Sequence, residues 1–212
     1  MTSSNIPETV RFDIAPIRCF IGAASREYQK CLDSRKDSGI PTHLPRASAL
    51  LFGRSNDTEI TISDIEFVSN IRDSDESIIA EFEGVIAPQF GDVYKNPGRG
   101  FWCDEKDVLQ AIKKRFADGL ELMGSIHSHP NWHEIGPPHE RFQELSENPT
   151  RMDEYLFCQS RWPVNIIWYI RDGNGSIAHR AAGWRHSAGK FERLEVRIPP
   201  EIRDEINLES PC

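Results

Sequence analysis

The chain has 212 residues, 38% of them apolar and 27% charged, with a formal net charge of −8. That suffices for one domain of moderate size with short extensions, and five Trp and eleven Phe are enough to help fill a core. The acidic balance and the lack of a basic stripe argue against nucleic acid as a partner. The strongest apolar run, Val164 to Ile170, is far shorter than the ~20 residues a membrane-spanning helix needs.

The opening residues lack the basic start and apolar stretch of a signal peptide. The five cysteines are scattered, with no CxxC pair, which argues against a disulfide framework or a cysteine zinc knuckle and for a reducing, cytoplasmic setting. Residues 1–20 read as an extended arm, because Pro7 and Pro16 bracket too little apolar sequence for a helix. Tyr28, Cys31 and Leu32 have helical spacing within Ala23 to Arg35, behind Ser25 as a cap, and "KDSGIP" breaks that helix.

Ala47 to Phe52 is a continuous apolar run closed by Gly53, which suits a strand buried on both faces. Strands are expected at Glu59 to Phe67 and Ser77 to Val85. After the Pro- and Gly-rich "APQFGDVYKNPGRG", Asp104 caps a helix whose apolar face repeats Val108, Leu109, Ile112 and Phe116 and which ends at Gly119. Leu120 to Ile126 then forms a strand that delivers "HSHP". Thr150 to Gln159 forms a helix, Val164 to Ile170 and Ser176 to Trp184 form two strands around "RDGNG", and residues 186–212 read as a charged tail. This order implies an α/β fold: a mixed β-sheet with flanking helices in one domain, residues 21–185.

His127 and His129 lie two apart on a strand, so their side chains share a face, and Pro130 ends the strand beside them. Two imidazoles are good zinc ligands, and a catalytic zinc takes a third protein ligand plus water. Thr150 and Asp153 open the next helix one turn apart, a hydroxyl and a carboxylate able to face the histidines together.

"GSIHSHP" followed by "PTRMD" resembles the JAMM signature of MPN-domain metallopeptidases, His-x-His-Pro and then Ser-x-x-Asp. The order of elements around it is also similar to an MPN domain, of a divergent, bacterial kind. The resemblance implies a single MPN (cytidine-deaminase-like) domain. It further implies Zn2+ on His127, His129 and Asp153, an oxyanion supported by Thr150, and a zinc-bound water attacking an amide or isopeptide carbonyl. The implied substrates are a protein or peptide tail, a ubiquitin-like or sulfur-carrier protein, or a small amide.

Two features depart from the family pattern. The gap from His129 to Asp153 is 24 positions, longer than the family's. An ungapped match puts Glu140 at the third-ligand position, and the inserted stretch also carries His133, Glu134 and His139, which are not an HExxH helix. The family's general base is a glutamate at the start of the first strand, where this chain has Arg46, a permanent cation unable to take a proton. Glu83, with Glu81 beside it, is the substitute base, and Arg46 and Trp132 are expected to contact substrate. Two other readings follow from Arg46: a non-catalytic MPN-type module that binds a partner protein, or a zinc enzyme of altered chemistry in which Arg46 binds an anionic substrate group.

Overall fold

In the computed structural model, which describes residues 7–38, 44–131, 148–173, 176–187 and 189–209, strand β1 (Thr9–Phe12) runs almost directly into helix α1 (Ile14–Ser38). The helix therefore begins nine residues before the expected Ala23. Pro16 is no obstacle, because it falls in the first turn, where a missing N–H is not needed. Strands β2 (Ser48–Ser55) and β3 (Glu59–Glu66) follow.

Ser77 to Val85 is helical rather than a strand. Helix α2 (Glu76–Glu81) passes through a π-helical turn, Phe82–Ile86, into the short helix α3 (Ala87–Phe90). Asp75 caps α2 by accepting from the amides of Ser77 and Ile78. Ile78, Phe82 and Ile86 are spaced by four, so they share a helical face, and the latter two are fully buried.

The second half comprises α4 (Glu105–Ala117), β4 (Glu121–Pro130), α5 (Arg151–Ser160), β5 (Val164–Gly173), β6 (Ser176–Ser187), β7 (Lys190–Arg197), α6 (Pro200–Glu205) and β8 (Asn207–Leu208). Asp104 caps α4 as expected, but its buried positions are Ala111 and the half-buried Val108 and Ile112, whereas Leu109 and Phe116 are exposed.

The expected mixed sheet of MPN type with flanking helices is not what forms. Strands β5, β4, β2, β3, β1, β7 and β6 are hydrogen-bonded in that order, and β6 pairs again with β5, closing a seven-stranded barrel. Closure depends on two strands that the sequence reading left in the arm and the tail. β1 runs parallel to both β3 and β7, and β7 runs antiparallel to β6. β1 has only four residues, and β7 is largely exposed and charged, so neither carries the apolar signal of a core strand. β8 extends β6 at Ala178 and His179.

The inward faces of the strands make one core with the apolar stripe of α1, which includes Ile17, Phe20, Ile21 and Ala24. Phe20 meets the indole of Trp168 edge-on at 6.2 Å between ring centroids, and the Trp168 indole N–H donates to His179 Nδ1 at 3.0 Å. β2 is buried on both faces as expected. Ala49 and Leu51 enter the barrel core, while Leu50 and Phe52 pack outward against Ala111 of α4.

Two glycines let the ring bend. The β2 pairings shift register at Phe52/Gly53 toward β3 and at Leu51/Phe52 toward β4, which are bulges of the kind that turn a sheet. A Cβ at Gly53 would sit 1.8 Å from the Thr61 carbonyl oxygen, and one at Gly124 (φ +156°) 1.6 Å from that of Val164.

Two predictions follow from this packing. Gly124→Ala lowers the unfolding free energy in urea by on the order of 3 kcal/mol, whereas Gly84→Ala, where nothing lies within 4 Å, changes it by less than about 0.5 kcal/mol. Burial pushes the His179 imidazole down from 6.5 to about 4. Between those values the unfolded chain binds the proton and the folded one does not, so stability is full above pH 6.5 and declines as pH falls toward 4, by on the order of 3 kcal/mol. His179→Gln flattens that part of the stability–pH curve, as thermal melts across pH 4 to 7 would show.

Candidate functional site

β4 pairs antiparallel with β2 on one side and parallel with β5 on the other, which holds it along its whole length. Its far end is pinned as well. The Ser128 amide donates to the Ala47 carbonyl, the Asn131 amide donates to the Ile170 carbonyl, and the Tyr28 hydroxyl donates to Asn131 Oδ1 at 2.7 Å. Ile126 points into the barrel core. Strand alternation therefore turns Ser125, His127 and His129 to the outside of the barrel.

Parallel neighbours need a crossover connection, and such a connection lays the start of its helix near the carboxyl end of the strand it leaves. Here that helix is α5, whose first turn brings Asp153 to the histidines. His127 Nε2 and His129 Nε2 are 3.0 Å apart, His127 Nε2 lies 3.3 Å from Asp153 Oδ1, and His129 Nε2 lies 3.4 Å from Asp153 Oδ2. Atoms about 2.1 Å from one ion at tetrahedral angles are about 3.4 Å from each other. The triangle thus has the size of a three-ligand metal site. Two imidazole nitrogens, each facing a different oxygen of one carboxylate, are the donor set of such a site, and His127, His129 and Asp153 could hold a metal ion.

Asp153 is held in place by a capping box. Its Oδ2 accepts from the Thr150 amide and the Thr150 hydroxyl, both at 2.7 Å, while its own amide donates back to Thr150 Oγ1 at 3.2 Å. Burial alone would raise the carboxyl's pKa, but the imidazoles of His129 and His127 reverse this and hold it well below the usual carboxylate range. The carboxylate is ionised and ready to ligate. The Thr150 proton goes to Asp153 rather than into the cavity, so Thr150, expected to support an oxyanion, orients the third ligand. The Tyr94 phenol also lines the cavity, where burial pushes its pKa up.

The three residues lie in the wall of a cavity of about 650 Å³ over the outer face of β2 and β4, bounded by α5 and the segment from Gly98 to Glu105. Burial pushes the Cys103 thiol in that wall up to about 11, so it stays protonated and is a poor nucleophile.

Arg46 also lines the cavity, but its guanidinium donates to Asp73 Oδ2 and to the Pro97 carbonyl, both at 3.1 Å, and so ties the start of β2 to that wall. Glu83 is exposed on the π-helical turn and is absent from the cavity lining, and Glu81 is on α2. The structure does not bring Glu83 to the histidines, because a helical segment replaced the strand that was to carry it. Besides Asp153, the carboxylate of the described lining is Glu105, in the first turn of α4. Trp132, His133, Glu134, His139 and Glu140 lie outside the described residues.

Sequence reasoning missed Tyr94, Glu105 and Asn165 as cavity residues. Asn165 alone left a signal, as the one polar residue inside the apolar run "VNIIWYI".

No protein-family model matches the chain, and no curated protein matches it. Among solved structures, a protein of Desulfitobacterium hafniense is similar over 90% of this chain and 93% of its own, at 14% identity and a TM-score of 0.52. At that identity the likeness concerns the fold alone. A protein of Salinibacter ruber aligns over 89% of this chain and 92% of its own, at 14% identity and a TM-score of 0.38, too low to establish a shared fold.

If the capping box positions the metal ligand, Thr150→Ala weakens metal binding about 10- to 100-fold and costs about 1 kcal/mol of stability. Thr150→Ser, which keeps the hydroxyl, leaves both near wild type. Competition against a chromogenic chelator and a urea titration read the two effects.

Proposed function

We propose that the protein is a zinc-dependent hydrolase of amide, isopeptide or peptide bonds, similar in its metal-binding motif to JAMM peptidases. The observation that carries this reading is the triangle of His127, His129 and Asp153 in the wall of an open cavity. Two imidazoles and one carboxylate suit zinc, which geometry and donor type favour over the all-oxygen preference of magnesium or calcium. Three protein ligands leave a fourth position open, the arrangement of a catalytic rather than a structural site.

Bound zinc supplies a Lewis acid that lowers the pKa of coordinated water and polarises a carbonyl. The chain's own residues do the rest. His127 and His129 are fixed by a strand paired on both edges, and Asp153 is fixed by Thr150, so the ligand set is organised before any ion arrives. Glu105, the other carboxylate among the described residues of the cavity wall, replaces Glu83 as the group that moves a proton to the leaving amine. Arg46 maintains the wall rather than replacing the base.

A protein or peptide tail, a ubiquitin-like or sulfur-carrier protein, or a small amide is the proposed substrate. A cytoplasmic setting belongs to the same proposal, supported by the free thiols Cys19, Cys31, Cys103 and Cys158. Among the described residues no helix is long and apolar enough to cross a membrane.

Elemental mass spectrometry of the purified protein tests the reading. The expected result is one zinc per chain, lost in Asp153→Ala and retained in Glu105→Gln, with amide hydrolysis reduced at least about 100-fold in both. A parent protein that takes up no zinc even when zinc is supplied sinks the hydrolase and leaves the binding module.

A further inference from the structure

Thr150 leaves a task unfilled. Cleavage of an amide builds negative charge on its carbonyl oxygen, and a hydrogen-bond donor placed at that charge is among the larger contributions to catalysis. The Thr150 hydroxyl gives its proton to Asp153 Oδ2. Among the described residues of the cavity wall, the Ser125 hydroxyl donates to Asn165 Oδ1, the Ser160 hydroxyl donates to the Phe157 carbonyl, and Ser128 Oγ is fully buried. Ser48 is the serine that remains.

Ser48 is the first residue of β2 and stands directly opposite His127 in the antiparallel pairing of β2 with β4. The pair one step away, Ala47 and Ser128, is joined by the hydrogen bond from the Ser128 amide to the Ala47 carbonyl. Antiparallel ladders alternate, so Ser48 and His127 form a non-hydrogen-bonded pair. In that class the Cα atoms are only about 4.5 Å apart and the side chains are closest.

Both side chains are on the same face of the sheet. Leu50 packs on the outer face of β2, so Ser48, two residues before it, is turned outward as His127 is. Ser48 is half-buried and lines the cavity, so a molecule held at the histidines can reach it. A serine hydroxyl donates one proton and stays neutral while doing so. Arg46, two positions earlier on the same face, is instead committed to Asp73 and the Pro97 carbonyl, whereas the Ser48 hydroxyl forms no hydrogen bond among the described residues.

We propose that Ser48 is a further catalytic residue of this hydrolase: its hydroxyl donates a hydrogen bond to the carbonyl oxygen of the scissile amide as that oxygen gains negative charge, the role that the motif resemblance gave to Thr150. The proposal rests on the hydrolase reading.

Dimethylphosphinate, a small tetrahedral anion, stands for the charged oxygen, and imidazole, which offers a nitrogen ligand and no acceptor oxygen, is the control. Isothermal titration calorimetry on the zinc-loaded protein measures both, with zinc content determined for each variant. Ser48→Ala is expected to weaken phosphinate binding about 10-fold or more, the effect of one hydrogen bond to a charged group, while imidazole affinity and one zinc per chain are kept. Ser48→Thr, which keeps the hydroxyl, stays within about threefold of wild type. Equal phosphinate affinity in wild type and Ser48→Ala, or a wild type that holds zinc but binds no phosphinate, overturns the role of Ser48 alone. So does a loss of zinc or of imidazole affinity in Ser48→Ala, which makes the residue a support for His127. A wild type that holds no zinc overturns the hydrolase reading and the role of Ser48 with it.

Discussion

Parallel pairing of β4 with β5 is the constraint on which the site depends. Parallel strands cannot be joined by a tight turn, so the chain must leave the end of β4, cross over, and return through a helix before β5 begins. That path puts the first turn of α5 over the last residues of β4. The two histidines come from one element and the carboxylate from another, yet their relative position follows from the hydrogen-bonding of the strands. The capping box then adds a local lock: the hydrogen bonds that start α5 are the same ones that aim Asp153. The helix cannot lose its cap without freeing the Asp153 carboxylate.

The barrel supports this arrangement from behind. Ile126 and Trp168 anchor β4 and β5 to the core on the side opposite the site, and α1 fills that core from within the same cluster. Tyr28 of α1 reaches across to Asn131 and also receives a hydrogen bond from the Asp172 amide, so one buried phenol connects the ends of both strands. A rigid scaffold of this kind is what a metal site needs if its ligands are to be organised in advance.

The parts legible in the sequence were those with strong local signals. His127 and His129 stood out by spacing and residue type, Asp153 was joined to them by the resemblance of its motif, and α4 and α5 were marked by their capping residues. What escaped was decided by distant partners. β1 is a strand because β3 and β7 flank it, and β7 is a strand because the ring needs it, although most of its side chains face water. The strand expected at Ser77 to Val85 is helical because Ile78, Phe82 and Ile86, spaced by four, share one buried helical face. That error moved Glu83 from an exposed turn into an imagined site. Arg46, expected to contact substrate, lies on the cavity wall, and its bonds to Asp73 and Pro97 depend on loops that no local pattern reveals.

The ring closes between residues at opposite ends of the sequence: Thr9 of β1 is aligned with Glu195 of β7, 186 positions away. The metal-site unit, by contrast, is one contiguous stretch from β4 to β5. During synthesis on the ribosome, β1 emerges long before β7, which covers its second edge, whereas β4, α5 and β5 emerge together. Slow, non-local closure and fast, local site assembly are thus built into the order of the strands. Until β7 is made, the second edge of β1 is an uncovered strand edge, the kind of surface through which unfinished chains pair with one another.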